Sequence, residues 1–152
     1  MDLIKLKAEV QGDPAGVGYA AYLPDEPGKV CELLNSKTFS VHKTKMISWR
    51  GLYASYGIGP VLAPQVLAKI RSGAESNQVL YDIKMMIYSE TGMDIGEPSA
   101  QVLINQLTPA VFTEDEATAL RNVSLQPASR AEIVLGNGTI VSINDLREAG
   151  VI

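Results

Sequence analysis

Apolar positions in this chain recur mainly at helical spacing, in short runs separated by glycine, proline and capping residues. Leu3, Leu6 and Val10 mark one side of an opening helix over residues 2–11, which Gly12-Asp13-Pro14 ends. Asp25 is placed to cap a second helix, with Pro27 in its first turn and Val30, Leu33 and Leu34 on its buried side. Ser48 opens a helix from Trp49 to Tyr56, with Leu52 and Tyr56 on the side of Trp49. After Gly57-Ile58-Gly59-Pro60, Val61 to Arg71 spaces Leu62, Val66, Leu67 and Ile70 as another buried stripe, with Pro64 tolerated only in a first turn. Asn77 or Ser76 then caps a helix reaching Glu90, whose stripe is Val79, Leu80, Ile83, Met86 and Ile87. Pro98 starts a helix to Leu107 that buries Val102, Leu103 and Leu107.

The last third is denser in local signals. Thr113 and Glu116 fit a capping box, and Phe112 is placed to staple onto Ala117. Ser129 and Glu132 fit a second box; Gly136 supplies the positive φ that closes the helix. Asn137-Gly138 is a turn, and β-branched Thr139-Ile140-Val141 predicts a short strand. Ser142 or Asn144 caps a final short helix that Gly150 ends. Between Lys37 and Trp49 neither alternate set of residues is cleanly apolar, which predicts an exposed extended segment or hairpin arm. Its Phe39 to Val41 is the natural partner for the strand at Thr139 to Val141. The expected fold is therefore mainly α: a single domain over residues 1–152, about seven short helices, and a minor β element near the C-terminus.

Composition narrows the function classes. The 152 residues are 46% hydrophobic and 20% charged, which suits a globular core and argues against disorder. Net charge is −4 and the sequence pI is about 5.0, which argues against a uniformly basic nucleic-acid binder. No apolar run is long enough for a membrane span, and the opening residues alternate charge with apolar groups, unlike a secretory signal. One cysteine, Cys31, forms no intrachain disulfide and is expected as a buried, inert thiol, in keeping with synthesis in a reducing cytoplasm.

Charge is unevenly distributed. From Leu33 to Ala74 there is no acid, while Lys37, Lys43, Lys45, Arg50, Lys69 and Arg71 are basic. With Phe39 and Trp49 as anchors, Lys37, Lys43, Lys45 and Arg50 form a candidate partner interface over residues 37–50. Three readings of it stay open: a solvated face balanced by neighbouring acids in the fold, complementary packing against protein copies, and contact with nucleic acid through phosphate pairing and base stacking.

Catalytic signals are sparse. Asp94 and Glu97 lack the oxygen count of a calcium loop, and Gly16-Val17-Gly18 lacks the flanking strand and the Lys-Ser/Thr of a phosphate loop. His42 is the only histidine, and a hydrolase would need it in a concave pocket beside a nucleophile. No catalytic residue, cofactor site or metal site is assigned.

Two patterns carry a resemblance. DPxGxGYA from Asp13 to Ala20, and SRAExxxGxGTxVSxxDxxxA from Ser129 to Ala149, resemble the terminal signatures of a family of small proteins encoded among the virion genes of tailed bacteriophages. The segment Lys37 to Met46 departs most from it. The resemblance implies a non-enzymatic component of the particle, located in the virion after synthesis in the host cytoplasm. It implies a head–tail connector, tail or fibre-attachment role ahead of capsid decoration. Other virion proteins and copies of the chain itself would then be its partners, with no membrane and no small-molecule substrate. The competing expectation is a phage-encoded accessory protein that binds nucleic acid through residues 37–50.

Overall fold

A computed structural model describes residues 1–152. The chain is mostly helical, with nine α-helices, one 3-10 turn and four short strands. It packs as two units. Unit 1 comprises Met1–Val41 and Pro127–Ile152, and unit 2 comprises His42–Gln126. The linear sequence shows no boundary because the first unit is assembled from both chain ends and the second is inserted between them. The chain leaves unit 1 along β1 (Phe39–His42) and returns along β4 (Leu125–Ala128).

Unit 1 contains α1 (Leu3–Gly12), the 3-10 turn Tyr19–Tyr22, α2 (Pro27–Asn35), α8 (Arg130–Leu135) and α9 (Ile143–Glu148). Its core joins Leu6, Val10, Tyr19, Val30, Leu34, Ala131, Val141 and Leu146. Asp2 caps α1 by accepting from the Lys5 amide at 3.1 Å. Asp13 ends α1 in the left-handed region, φ 40°, and its carboxylate accepts from the amides of Val17 and Gly18, both at 2.7 Å. The DPxGxGYA stretch is thus a loop folded around one aspartate, and it places Tyr19 fully in the core. At α2 the expectation of an Asp25 cap fails: Glu26 is the cap residue and makes no side-chain cap bond, and Pro27 supplies the preset φ instead.

The ends of α8 and α9 follow the sequence. Ser129 and Glu132 form a reciprocal capping box at α8, and Ser142 and Asp145 form one at α9. Gly136 closes α8 at φ 112°. The strand predicted at Thr139 to Val141 is absent. The Asn35 side chain takes the place of a partner strand, accepting from the Val141 amide at 2.9 Å and donating to its carbonyl at 2.8 Å. One side chain thereby satisfies both backbone groups that a ladder would have paired. Strands lie elsewhere, and β1 pairs with β4 rather than with Thr139 to Val141.

Unit 2 contains α3 (Trp49–Ala54), α4 (Gly59–Gly73), α5 (Gln78–Ile87), α6 (Pro98–Gln106) and α7 (Glu114–Asn122). A short antiparallel ribbon joins β2 (Met46–Ile47) to β3 (Met93–Asp94), with Met46 opposite Asp94 and Ile47 opposite Met93. Gly92 and Gly96 allow this crossing, since a Cβ on either would run into the backbone carbonyl of Ile47 or Lys43. The core gathers Ile47, Leu52, Val66, Leu67, Ile70, Leu80, Ile83, Ile87, Phe112 and Leu120. Ser48, Asn77 and Thr113 cap α3, α5 and α7 as expected, and Phe112 lies buried beside Ala117 in the same cluster.

Several burial expectations change. Pro64 lies inside α4, beyond the first turn, because the helix begins at Gly59. Pro64 offers no amide to the Pro60 carbonyl, and both residues are exposed. Val79 and Met86 of α5, Val102 of α6 and Tyr56 after α3 face solvent, not core. Ala100 and Ile104 occupy the buried side of α6 instead.

Candidate functional site

The six residues expected to form one interface are divided between the units. Lys37 and Phe39 belong to unit 1. Lys37 pairs with Glu132 at 3.8 Å, and the Arg130 guanidinium lies 5.4 Å from the Phe39 ring centre. Lys43, Lys45, Trp49 and Arg50 belong to unit 2. The Lys43 amide donates to the Ser124 carbonyl at 3.0 Å, and the Lys45 amide to the Asp94 carboxylate at 2.8 Å. The backbone of Lys43 and Lys45 is therefore engaged within unit 2.

A different surface emerges on unit 2. Trp49 stacks on Tyr88, ring centres 6.0 Å apart and planes 24° apart, and meets Tyr53 edge-on at 6.5 Å. The Arg50 guanidinium sits over the Trp49 ring at 5.1 Å. Tyr81, Met85 and Tyr88 follow one another at spacings of four and three along α5, so they form one stripe that continues from the Trp49 stack. All three are exposed, Met85 to 57%. This helix is apolar on two sides: Leu80, Ile83 and Ile87 face the core, and the stripe faces outward. A single exposed apolar residue needs no explanation, but a contiguous aromatic and methionine face on a capped helix does. Such faces are a common composition for the anchor regions of protein interfaces.

On the far side of α3 lies a groove of about 840 Å³. Trp49 and Tyr53, four apart, share one side of that helix; Gly51 and Ala54 fall on the other and line the groove. Its opposite wall is α7, through Asp115 and Ala119, and Ile47 belongs to its apolar lining. Lys45 and Asp115 bring one charge of each sign to the lining.

Compared with protein-family models, curated proteins and solved structures, the chain has no match. The site is accordingly read from its own chemistry.

His42 Nδ1 lies 2.8 Å from Ser124 Oγ. The hydroxyl is completely buried and also engages the Arg121 carbonyl at 3.2 Å and the Gln101 amide at 3.4 Å, whereas the imidazole side is exposed. This pair joins β1 to the turn before β4 and does not line the groove. Cys31 is buried, and burial pushes its thiol pKa up, as expected of an inert thiol.

One polar constellation was missed by sequence reasoning. In unit 1, Arg130 Nε and Nη2 bond the two oxygens of Glu9 at 2.8 and 2.7 Å, and the Tyr19 hydroxyl donates to the same carboxylate at 3.3 Å. Glu9 is 4% exposed and Tyr19 is not exposed at all. Burial, with the Glu9 charge added to it, pushes the Tyr19 hydroxyl pKa well above its ordinary value. The bond to Glu9 holds Arg130 charged more firmly than usual. The signal was present in the chain: Glu9 falls beside Val10 and one turn after Leu6, on the apolar side of α1, where a carboxylate needs a cation. No helix in the chain is long and apolar enough to cross a membrane.

Proposed function

We propose that this chain is a non-enzymatic structural protein of a tailed-bacteriophage particle, acting in the head–tail connector, tail or fibre-attachment region by binding other virion proteins and copies of itself. The observation that carries the reading is the Trp49–Tyr53–Tyr81–Met85–Tyr88 face, a preorganised set of large side chains that are all exposed apart from the half-buried Trp49. Support comes also from the two terminal patterns that resemble the phage family. Their polar residues are occupied in building unit 1: Asp13 holds its loop, Ser129, Glu132, Ser142 and Asp145 cap helices, and Arg130 neutralises Glu9. Residues with those duties suit a scaffold that presents a surface. The alternative is an accessory protein that binds nucleic acid through residues 37–50, whose lysines belong to two units.

Mass spectrometry of particles purified from a host that encodes this chain tests the reading. The chain should co-purify with the virion in a fixed ratio to the major tail or connector proteins. Its presence only in the lysate, with none in washed particles, would remove the structural assignment.

A further inference from the structure

We infer that copies of this chain associate head to tail, the aromatic face of α3 and α5 on one copy seating in the groove between α3 and α7 of the next. The inference rests on the self-binding part of the proposed function and names its geometry.

The two surfaces belong to unit 2 and lie on opposite sides of α3, so one copy uses both without competition. Their charges match flank for flank. On α5 the stripe Tyr81–Met85–Tyr88 is bordered by Lys84 on one side and Asp82 on the other, and neither is in an ion pair. In the groove, Asp115 stands on the α7 wall and Lys45 on the β2 side, again without ion-pair partners. A plus–apolar–minus face thus meets a minus–apolar–plus groove. The groove lining is small or aliphatic at Gly51, Ala54 and Ala119, which leaves room for rings and a thioether.

Two rival occupants fit less well. An antiparallel two-fold pairing of α5 with itself would set Lys84 beside Lys84 and Asp82 beside Asp82. Single-stranded nucleic acid would stack its bases on the rings, and the largest of them, Trp49, already carries Tyr88, Tyr53 and Arg50. Unlike surfaces meeting in sequence build rings or filaments, as repeated virion layers require.

Sedimentation velocity of the full chain and two exposed-residue variants tests this. Met85→Glu puts a charge in the face, and Ala54→Arg fills the groove. The wild-type chain should show species beyond dimer that grow with concentration. Each variant alone should sediment as a monomer, with an unchanged circular-dichroism spectrum and melting point. An equimolar mixture of the two should give a dimer and nothing larger, because one intact face meets one intact groove. Tyr81→Ser and Thr118→Lys provide a second pair should either substitution disturb folding. Four results would overturn the inference: a wild-type chain that stays monomeric, a mixture that stays monomeric, association that Met85→Glu abolishes and Ala54→Arg leaves intact, or salt-sensitive binding of a single-stranded oligonucleotide that depends on Met85. A monomeric chain found in particles would remove this interface but keep the virion reading; an oligomerising chain absent from particles would do the reverse.

Discussion

The two units solve the problem of a small core differently. Unit 1 draws helices from both ends of the chain and ties them with polar side chains: the Arg130 fork on Glu9, the Asn35 clasp on Val141, and Asp13 around its loop. Unit 2 relies on a larger, mostly aliphatic cluster from Ile47 to Leu120, with Phe112 buried in it, and leaves its tyrosines outside. Where polar groups are buried they must be satisfied, so unit 1 is sensitive to single polar changes. Where aromatics are exposed they contribute little to folding, so unit 2 should tolerate changes that alter what it binds. The contrast separates residues that hold the fold from residues available to a partner.

The comparison breaks first at Arg130. Arg130→Ala leaves the Glu9 carboxylate buried without its fork, and urea unfolding should report a loss of about 3–5 kcal/mol. Arg130→Lys should recover only part of it, since one ammonium cannot bond both oxygens with the same geometry. Next is Asn35→Ala, which strands the amide and carbonyl of Val141; a loss of roughly 1–3 kcal/mol is expected in the same assay. Ser142→Ala removes the cap of α9 and should cost about 1 kcal/mol.

A pH effect follows from unit 2. Burial opposes ionisation of Glu116, but the Lys69 ammonium at 2.6 Å and the Thr113 amide outweigh it and hold the carboxyl below its ordinary 4.5. The unfolded chain therefore binds this proton more readily than the folded one. The contribution to stability is complete above pH 4.5 and disappears as pH falls through the lower folded value. Melting temperature should drop across that acid range in the wild type, and less steeply in Glu116→Gln. The smallest stability effect belongs to the exposed face: Tyr81→Ser should shift unfolding by less than about 0.5 kcal/mol. A large loss there would mean that the face is part of the core, against the contrast drawn above.

Local signals read from the chain were mostly realised. Ser48, Asn77, Thr113–Glu116, Ser129–Glu132 and Ser142 all cap helices, because a cap is decided within three residues and owes little to distant packing. Features that depend on distant residues were not legible. Glu9 and Arg130 are 121 positions apart, and Asn35 and Val141 are 106 apart. A strand predicted from three β-branched residues became a segment held by one asparagine. The unit boundary inside the basic segment was equally hidden: the chain passes from one unit to the other between Val41 and His42. Helix α5 has apolar residues on two sides, and periodicity alone does not say which side the protein covers. Val79 and Met86 were thus assigned to the core, and Tyr81 and Tyr88 were not singled out.

The central claim is that the aromatic face of unit 2 is covered when the protein is in its working assembly. Hydroxyl-radical footprinting of purified particles, read by mass spectrometry against the dissociated chain, addresses it at residue level. Trp49, Tyr53, Tyr81, Met85 and Tyr88 should be modified several-fold less in the particle, while exposed Ile4 and Ile140 of unit 1 serve as reference positions. Equal modification of that face in the two states would contradict the claim.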